Sequence, residues 1–197
     1  LCASLSHVPT IRSLLRRRRF DAIVLYAIPT NGWQTVLLAK RFGVPVLFRA
    51  IDVPTEMRRT VFRGLVERAA RFVYRRANAV STHTGPLRDY CVRMGAAPDR
   101  VSFEYPGFDL ARFSPGPRDE RLSREYGIAP GDRVVAFMGE FHYFSAVTWL
   151  VEAFAPHLRA NPGTHLLLIG DKPAVGGTSV QEVRELAQRL GVERAVK

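Results

Sequence analysis

The stretch from Arg133 to Gly170 limits the possible folds more than any other part of the chain. Val134 to Met138 is a short unbroken apolar run, the pattern of a strand covered on both faces. Gly139 closes it and permits a tight exit. Ser145 is placed to cap a helix. In that helix Val147, Leu150, Val151, Phe154 and Leu158 recur at helical spacing and form one apolar face. Asn161-Pro162-Gly163 stops the helix, and Leu166 to Ile169 reads as a second buried strand closed by Gly170. A β-α-β unit of this kind pairs its strands in parallel, and ligands of such sheets sit at the carboxyl ends of the strands. Gly139 to Ser145 and Gly170 to Pro173 therefore border any site.

The rest of the chain repeats the alternation. Strands are expected at Asp21–Tyr26, Val44–Phe48, Ala79–Thr82 and Val101–Glu104. Helices are expected at Leu5–Arg19, broken early by Pro9, at Trp33–Phe42, and at Thr55 to about Arg76 with Val61, Leu65, Ala69, Phe72 and Val73 as its apolar stripe. Gly85-Pro86 opens another helix that Gly95 ends. A short helix follows at Glu120–Tyr126, and Ser179 with Glu182 forms a capping box for a last one, Val180–Leu190. Another strand is expected at Val196-Lys197. The fold class is thus α/β with parallel sheets. The Pro- and Gly-rich segment from Pro106 to Pro117 is the candidate linker between residues 1–113 and 114–197.

Charge separates the same two regions. Residues 1–113 hold 19 Lys and Arg against 8 Asp and Glu, a net of +11, whereas residues 114–197 hold 10 of each and balance. The asymmetry suits an anionic partner of the first region, though Arg can equally fill solvated helix faces. Nucleic acid is not the expected partner, because aromatics are not interleaved with the basic stripes as stacking platforms. No Gly-x-Gly-x-x-Gly follows a strand, which argues against a dinucleotide oxidoreductase. Gly176-Gly177 lacks the strand before it and the Gly-Lys-Ser/Thr ending of a phosphate loop. No apolar run approaches the roughly 20 residues of a membrane span. Two cysteines, Cys2 and Cys91, are too few for a disulfide framework, so a reducing cytosol is the expected setting. His7, His157 and His165 have no partner at ligand spacing, no metal site is expected, and His83 reads as a structural histidine at a strand end.

In their order and spacing these pieces resemble the family 4 glycosyltransferases, which have two facing Rossmann-like domains in the GT-B arrangement. The resemblance lies in Phe20-Asp-Ala-Ile-Val, Leu38-Ala-Lys-Arg-Phe-Gly-Val-Pro-Val, Ala77-Asn-Ala-Val-Ser-Thr-His-Thr with Leu87-Arg-Asp-Tyr, Pro106-Gly-Phe-Asp with Phe113-Ser-Pro, and the β-α-β unit through Ile169-Gly-Asp171. It covers roughly residues 20 to 197. It implies a partial acceptor-side domain at 1–113 and a partial nucleotide-sugar donor domain at 114–197. The family's first strand and Gly-rich acceptor turn would precede residue 1. Its Glu-x7-Glu motif would follow residue 197, so the chain reads as an internal portion of a longer protein. Glu185 and Glu193 share that spacing by chance: Glu185 lies mid-helix, and no Gly-x-Pro strand follows.

The implied activity is retaining transfer of a glycosyl group from a nucleotide-diphosphate sugar to a glycan or lipid-linked acceptor. The donor is a substrate, and no cofactor is implied. A peripheral contact with an anionic membrane is implied alongside, because many such enzymes act on lipid-linked acceptors; a non-catalytic basic module for nucleic acid or an anionic membrane is the alternative. The donor-binding candidates are Gly139, Glu140, His142, Ser145, Gly170, Asp171 and Lys172, with Tyr143 beside them. His142 and Tyr143 are equally read as a loop packed on its own helix, and Gly170 to Pro173 as a simple turn. Where the family carries an Arg just after the Gly and a Lys-Gly pair opening the helix, this chain has Glu140, Ser145 and Ala146, so the cationic clamp on the diphosphate is missing. Where the family often has His-Asp after a strand, this chain has Ile51-Asp52. Asp52 is the catalytic candidate, orienting a sugar hydroxyl; its competing role is to cap the helix expected from Thr55.

Overall fold

A computed structural model describes residues 2–26, 31–53, 62–172 and 176–197, with the side chains of residues 2–5 left out. The chain divides into two compact units, Leu1–Arg112 and Phe113–Lys197. In the first, β1 (Ile23–Leu25), β2 (Val46–Arg49), β3 (Ala79–Thr82) and β4 (Val101–Phe103) form one sheet in that order. Every neighbouring pair is parallel. The connections run through α2 (Gly32–Arg41), α3 (Arg63–Arg76) and α4 (Gly85–Arg93), as parallel pairing requires. Pro45 stands just before β2, where its missing N–H costs no ladder bond; its carbonyl accepts from Ile23 N–H at 2.9 Å.

The core of this unit gathers on α3. Phe48 meets Tyr74 edge-on at 5.3 Å, and Tyr74 meets Tyr90 at 6.0 Å. Val73, Ala70, Val80 and Cys91 complete the packing. Burial pushes the Cys91 thiol up to about 11, so it is an inert core residue and not a nucleophile. The stripe expected on this helix is out of phase. Leu65 is exposed, Ala69 and Phe72 are half-buried, and the buried positions are Ala70, Val73 and Tyr74. Tyr74 carries the largest ring on the helix, and turning it inward buries more apolar area than Leu65 would. Val61 and the expected start of this helix at Thr55 lie outside the described residues.

The first helix, α1 (Cys2–Arg17), is not broken at Pro9. The Thr10 hydroxyl donates to the Ser6 carbonyl at 2.8 Å, adding a bond beside the one that Pro9 cannot make. His7 Nε2 lies 2.8 Å from Thr35 Oγ1 and ties α1 to α2.

In the second unit β5 (Arg133–Met138) and β6 (Thr164–Ile169) pair in parallel over six residues. The helix between them is α6 (Val147–Ala160); α5 (Glu120–Glu125) precedes β5, and α7 (Val180–Arg189) follows β6. Val196 bridges Leu166 in parallel on the far side of β6, where the further strand is expected. Val147, Val151, Ala155 and Leu158 of α6 pack with Leu166 and with Val183, Leu186 and Ala187 of α7.

The two strands are not buried on both faces. Phe137, Leu166 and Leu168 join that core. Met138 and Ile169 point the other way and are 79% and 47% exposed. Alternation along a strand sends neighbours to opposite faces, and the helices described here cover only one of them.

Candidate functional site

At the carboxyl ends of β5 and β6 two tight turns nest against each other. Gly139 has φ +154 and Gly170 φ +159, both in the range that favours glycine. A Cβ on Gly170 would stand 1.9 Å from the Gly139 carbonyl oxygen, a backbone collision. A Cβ on Gly139 would meet only the Phe137 ring, at 3.6 Å. The tighter of the two turns within the chain is thus the one at Gly170.

Backbone hydrogen bonds lock the nest. Gly139 N–H donates to the Ile169 carbonyl at 3.0 Å, Phe141 N–H to the Asp171 carbonyl at 2.8 Å, and Thr178 N–H to the Phe141 carbonyl at 2.7 Å. Phe141 itself is buried in the core. One aromatic anchor thus holds the loop after β5, the loop after β6 and the approach to α7 together. Neither Phe141 nor Thr178 is evident from local sequence, because their role is made by segments about thirty residues apart.

The side chains of the β5 loop are also paired. His142 Nε2 lies 2.9 Å from Glu140 Oε2, and the His142 ring stacks on Phe144 with centroids 4.6 Å apart and planes 14° from parallel. Among the described residues His142 Nδ1 has no hydrogen-bond partner. The Ser145 hydroxyl donates to the Glu140 carbonyl at 2.7 Å.

Ser145 does not cap the helix, contrary to the sequence reading. It closes a short 3-10 turn, Tyr143–Ser145, and the residue at the helix entrance is Ala146. Ala146 has φ 52 and ψ 33, the left-handed conformation, and no side chain caps the first turn of α6. It is the single non-glycine residue with positive φ among those described. The resembled family has Gly there, and the geometry supplies the reason: a Cβ in this conformation costs roughly 1–2 kcal/mol. Ala146 was not among the donor-binding candidates, and the family's Gly at this position was the signal for its conformation. A left-handed residue in front of an uncapped helix leaves a concavity of backbone N–H groups, a common anion site.

Asp171 and Lys172 lie on the neighbouring turn, where Lys172 N–H donates to Asp171 Oδ1 at 2.6 Å. Lys172 also lies near Glu182, whose carboxyl is held below its ordinary value first by the Ser179 backbone N–H of the capping box.

In the first unit a cleft of ≈ 360 Å³ opens at the carboxyl ends of β2 and β3, lined by Asp52, His83, Tyr90 and Arg93 among others. Asp52 is exposed there, with no hydrogen bond or ion pair among the described residues. The helix start that it would cap lies outside the described residues. Beside the cleft Arg49 bridges the strand ends: Nη1 donates to Ser81 Oγ at 3.0 Å and pairs with Glu104 Oε2 at 3.4 Å. No three His, Cys, Asp or Glu gather as a metal-binding group among the described residues.

Comparison with known proteins decides the family. Residues 1–107 match the glycosyl transferase 4-like domain. The chain belongs to that family. A Segniliparus rotundus protein, D-inositol 3-phosphate glycosyltransferase, is 34% identical over 176 residues, covering 82% of this chain and 36% of that protein. A Corynebacterium efficiens protein of the same name is 33% identical over 150 residues, covering 74% and 34%. The chain thus spans about a third of the length of the curated relatives it matches. Among solved structures, Anabaena HepE in complex with UDP superposes with a TM-score of 0.72 at 20% identity, over 98% of this chain and 50% of that one. Sucrose-phosphate synthase from Thermosynechococcus elongatus gives 0.69 at 13% identity, over 99% and 49%. These likenesses establish the fold, two parallel-sheet α/β units of the GT-B type. Among the described residues of this family member, no helix is long and apolar enough to cross a membrane.

Proposed function

We propose that the protein to which these residues belong transfers a glycosyl group, with retention, from a nucleotide-diphosphate sugar to a glycan or lipid-linked acceptor. The second unit is the donor side and the first the acceptor side. The observation that carries this reading is the nest of Gly139 and Gly170 beside the uncapped, left-handed entrance to α6. Its backbone N–H groups suit the diphosphate in place of the missing cations. Ser145 holds the loop through the Glu140 carbonyl, so its proton is not offered to phosphate. His142 Nε2 lies 2.9 Å from one oxygen of the Glu140 carboxylate and fixes where that group stands beside the turn.

In the transfer, the bond between the anomeric carbon and the phosphate oxygen breaks, and its electron pair leaves with the nucleoside diphosphate. The acceptor oxygen bonds to the same face of the sugar, and its proton passes to the departing phosphate oxygen. Backbone N–H groups at α6 stabilise the charge growing on the leaving group. Asp52 orients a hydroxyl on the acceptor side. The name of the curated relatives adds an inositol phosphate to the acceptors worth testing. Phe62 and Leu65, 65% and 66% exposed beside Arg63 and Arg68, suit a peripheral contact with an anionic membrane.

The test uses the full-length parent with a panel of uridine and guanosine diphosphate sugars, measuring nucleoside diphosphate release and the product anomer by NMR. Inversion of the anomer would refute the retaining step, and no release with any donor would refute the transferase. Glu140→Arg sharpens the site assignment. If the diphosphate lies against this turn, exchanging the carboxylate for a cation lowers the donor KM about tenfold. An unchanged KM would move the diphosphate elsewhere.

A further inference from the structure

A second cleft of the first unit opens at the amino ends of its strands, the end opposite the proposed acceptor cleft. Its volume is ≈ 370 Å³, and four cations line it: Lys40, Arg75, Arg76 and Arg100. Lys40 comes from the last turn of α2, Arg75 and Arg76 from the last turn of α3, and Arg100 from the turn that leads into β4. No Asp or Glu lines the cleft. Asp21 and Asp99 stand near in sequence to its rim but outside the lining. Among the described residues none of the four cations has an ion pair, whereas Arg49, Arg71, Arg88 and Arg124 do.

Two of the cations pack against neighbours. The Arg75 stem passes over Gly95, where a Cβ would stand 2.7 Å from Cγ and 2.8 Å from Nε. The Arg76 guanidinium lies over the Phe72 ring, 5.5 Å from its centre. Asn78 Oδ1 accepts from Val46 N–H at 2.9 Å, and its amide N–H₂ has no acceptor among the described residues.

A purely structural role accounts for part of this. Cations at a helix C-terminus are favourable, and two helices end here. Each terminus, however, carries only about half a negative charge, so two of them offset roughly one of the four cations. Arg100 belongs to neither helix. We propose that this cleft binds the phosphate of a small phosphorylated ligand or of a lipid headgroup. Cations without ion pairs, converging on a cavity of this volume, are the chemistry that recognises such a group.

Titration calorimetry of the 197-residue chain with inorganic pyrophosphate at low salt tests the proposal, alongside co-sedimentation with phosphatidylcholine vesicles with and without phosphatidic acid. Lys40→Gln with Arg100→Gln changes two exposed side chains and should weaken phosphate binding about tenfold. Arg12→Gln, an exposed cation of α1 outside the cleft, should change it less than about twofold. Binding of pyrophosphate that is lost in the double variant assigns a free phosphorylated ligand. Binding of phosphatidic acid vesicles alone, lost in the same variant, assigns a lipid headgroup. The proposal fails if the unaltered chain binds neither probe, if the double variant binds as the parent does, or if Arg12→Gln weakens binding equally.

Discussion

The two units solve the same packing problem to different extents. In the first, β3 buries Val80, Ser81 and Thr82 in succession, so both faces of the sheet are covered at its centre. In the second, β5 buries none of its six residues, and Met138 and Ile169 stand out on the open face. Both sheets are parallel, and parallel sheets are ordinarily covered on both sides. An apolar run thus records what a strand is suited to, and burial depends on the elements that reach it. The units differ in charge as well, with the +11 in residues 1–113 and a balance in 114–197. Self-repulsion therefore weighs on the first unit, and an uncovered apolar face on the second.

Gly170→Val should widen this contrast most. The Cβ collision is with backbone, so relief requires the nested turns to part. The cost expected is more than about 4 kcal/mol, confined to the second unit. Urea unfolding followed by hydrogen exchange should show that unit opening early while the protection of β2 and β3 is unchanged. Loss of protection in both units would mean that they do not unfold separately.

A pH series gives a smaller separation. Asp132 is held below its ordinary value, chiefly by the hydrogen bond from His165 at 2.9 Å and then by Ala129 N–H; Glu182 is lowered by Ser179. For a depressed carboxyl, the stabilisation is fully present above the unfolded values of about 3.9 for Asp and 4.3 for Glu. It is lost as the pH falls through the lower folded values. Both groups lie in the second unit, so its urea midpoint should fall with acid through this window. Asp132→Asn should lower the neutral midpoint and flatten the acid dependence. An equally steep fall in the variant would remove Asp132 from the account.

Ala146→Gly should have the smallest effect and the opposite sign. It relieves the left-handed Cβ and improves the helix entrance, at the expense of chain entropy, for a net gain of about 0.5–1 kcal/mol. A raised melting temperature of the second unit checks this. A lowered one would mean that the left-handed turn is not the resting conformation.

Several of these features were legible in the sequence. The alternation of strands and helices, the parallel pairing of β5 with β6 and the Ser179–Glu182 capping box follow from patterns within single elements and one β-α-β unit. So does the position of the candidate loops at strand carboxyl ends. Such features depend on periodicity and on local hydrogen bonds, which a sequence displays directly. The tertiary structure decided the others. It turned Tyr74 inward in place of Leu65, engaged Ser145 with the Glu140 carbonyl instead of the helix, and put Ala146 in the left-handed conformation. It also set Gly170 against the Gly139 carbonyl and brought Lys40, Arg75, Arg76 and Arg100 around one cleft. The Gly170 contact, the Tyr74 packing and the cation cleft depend on how closely segments distant in the chain approach one another, and no local pattern encodes that distance.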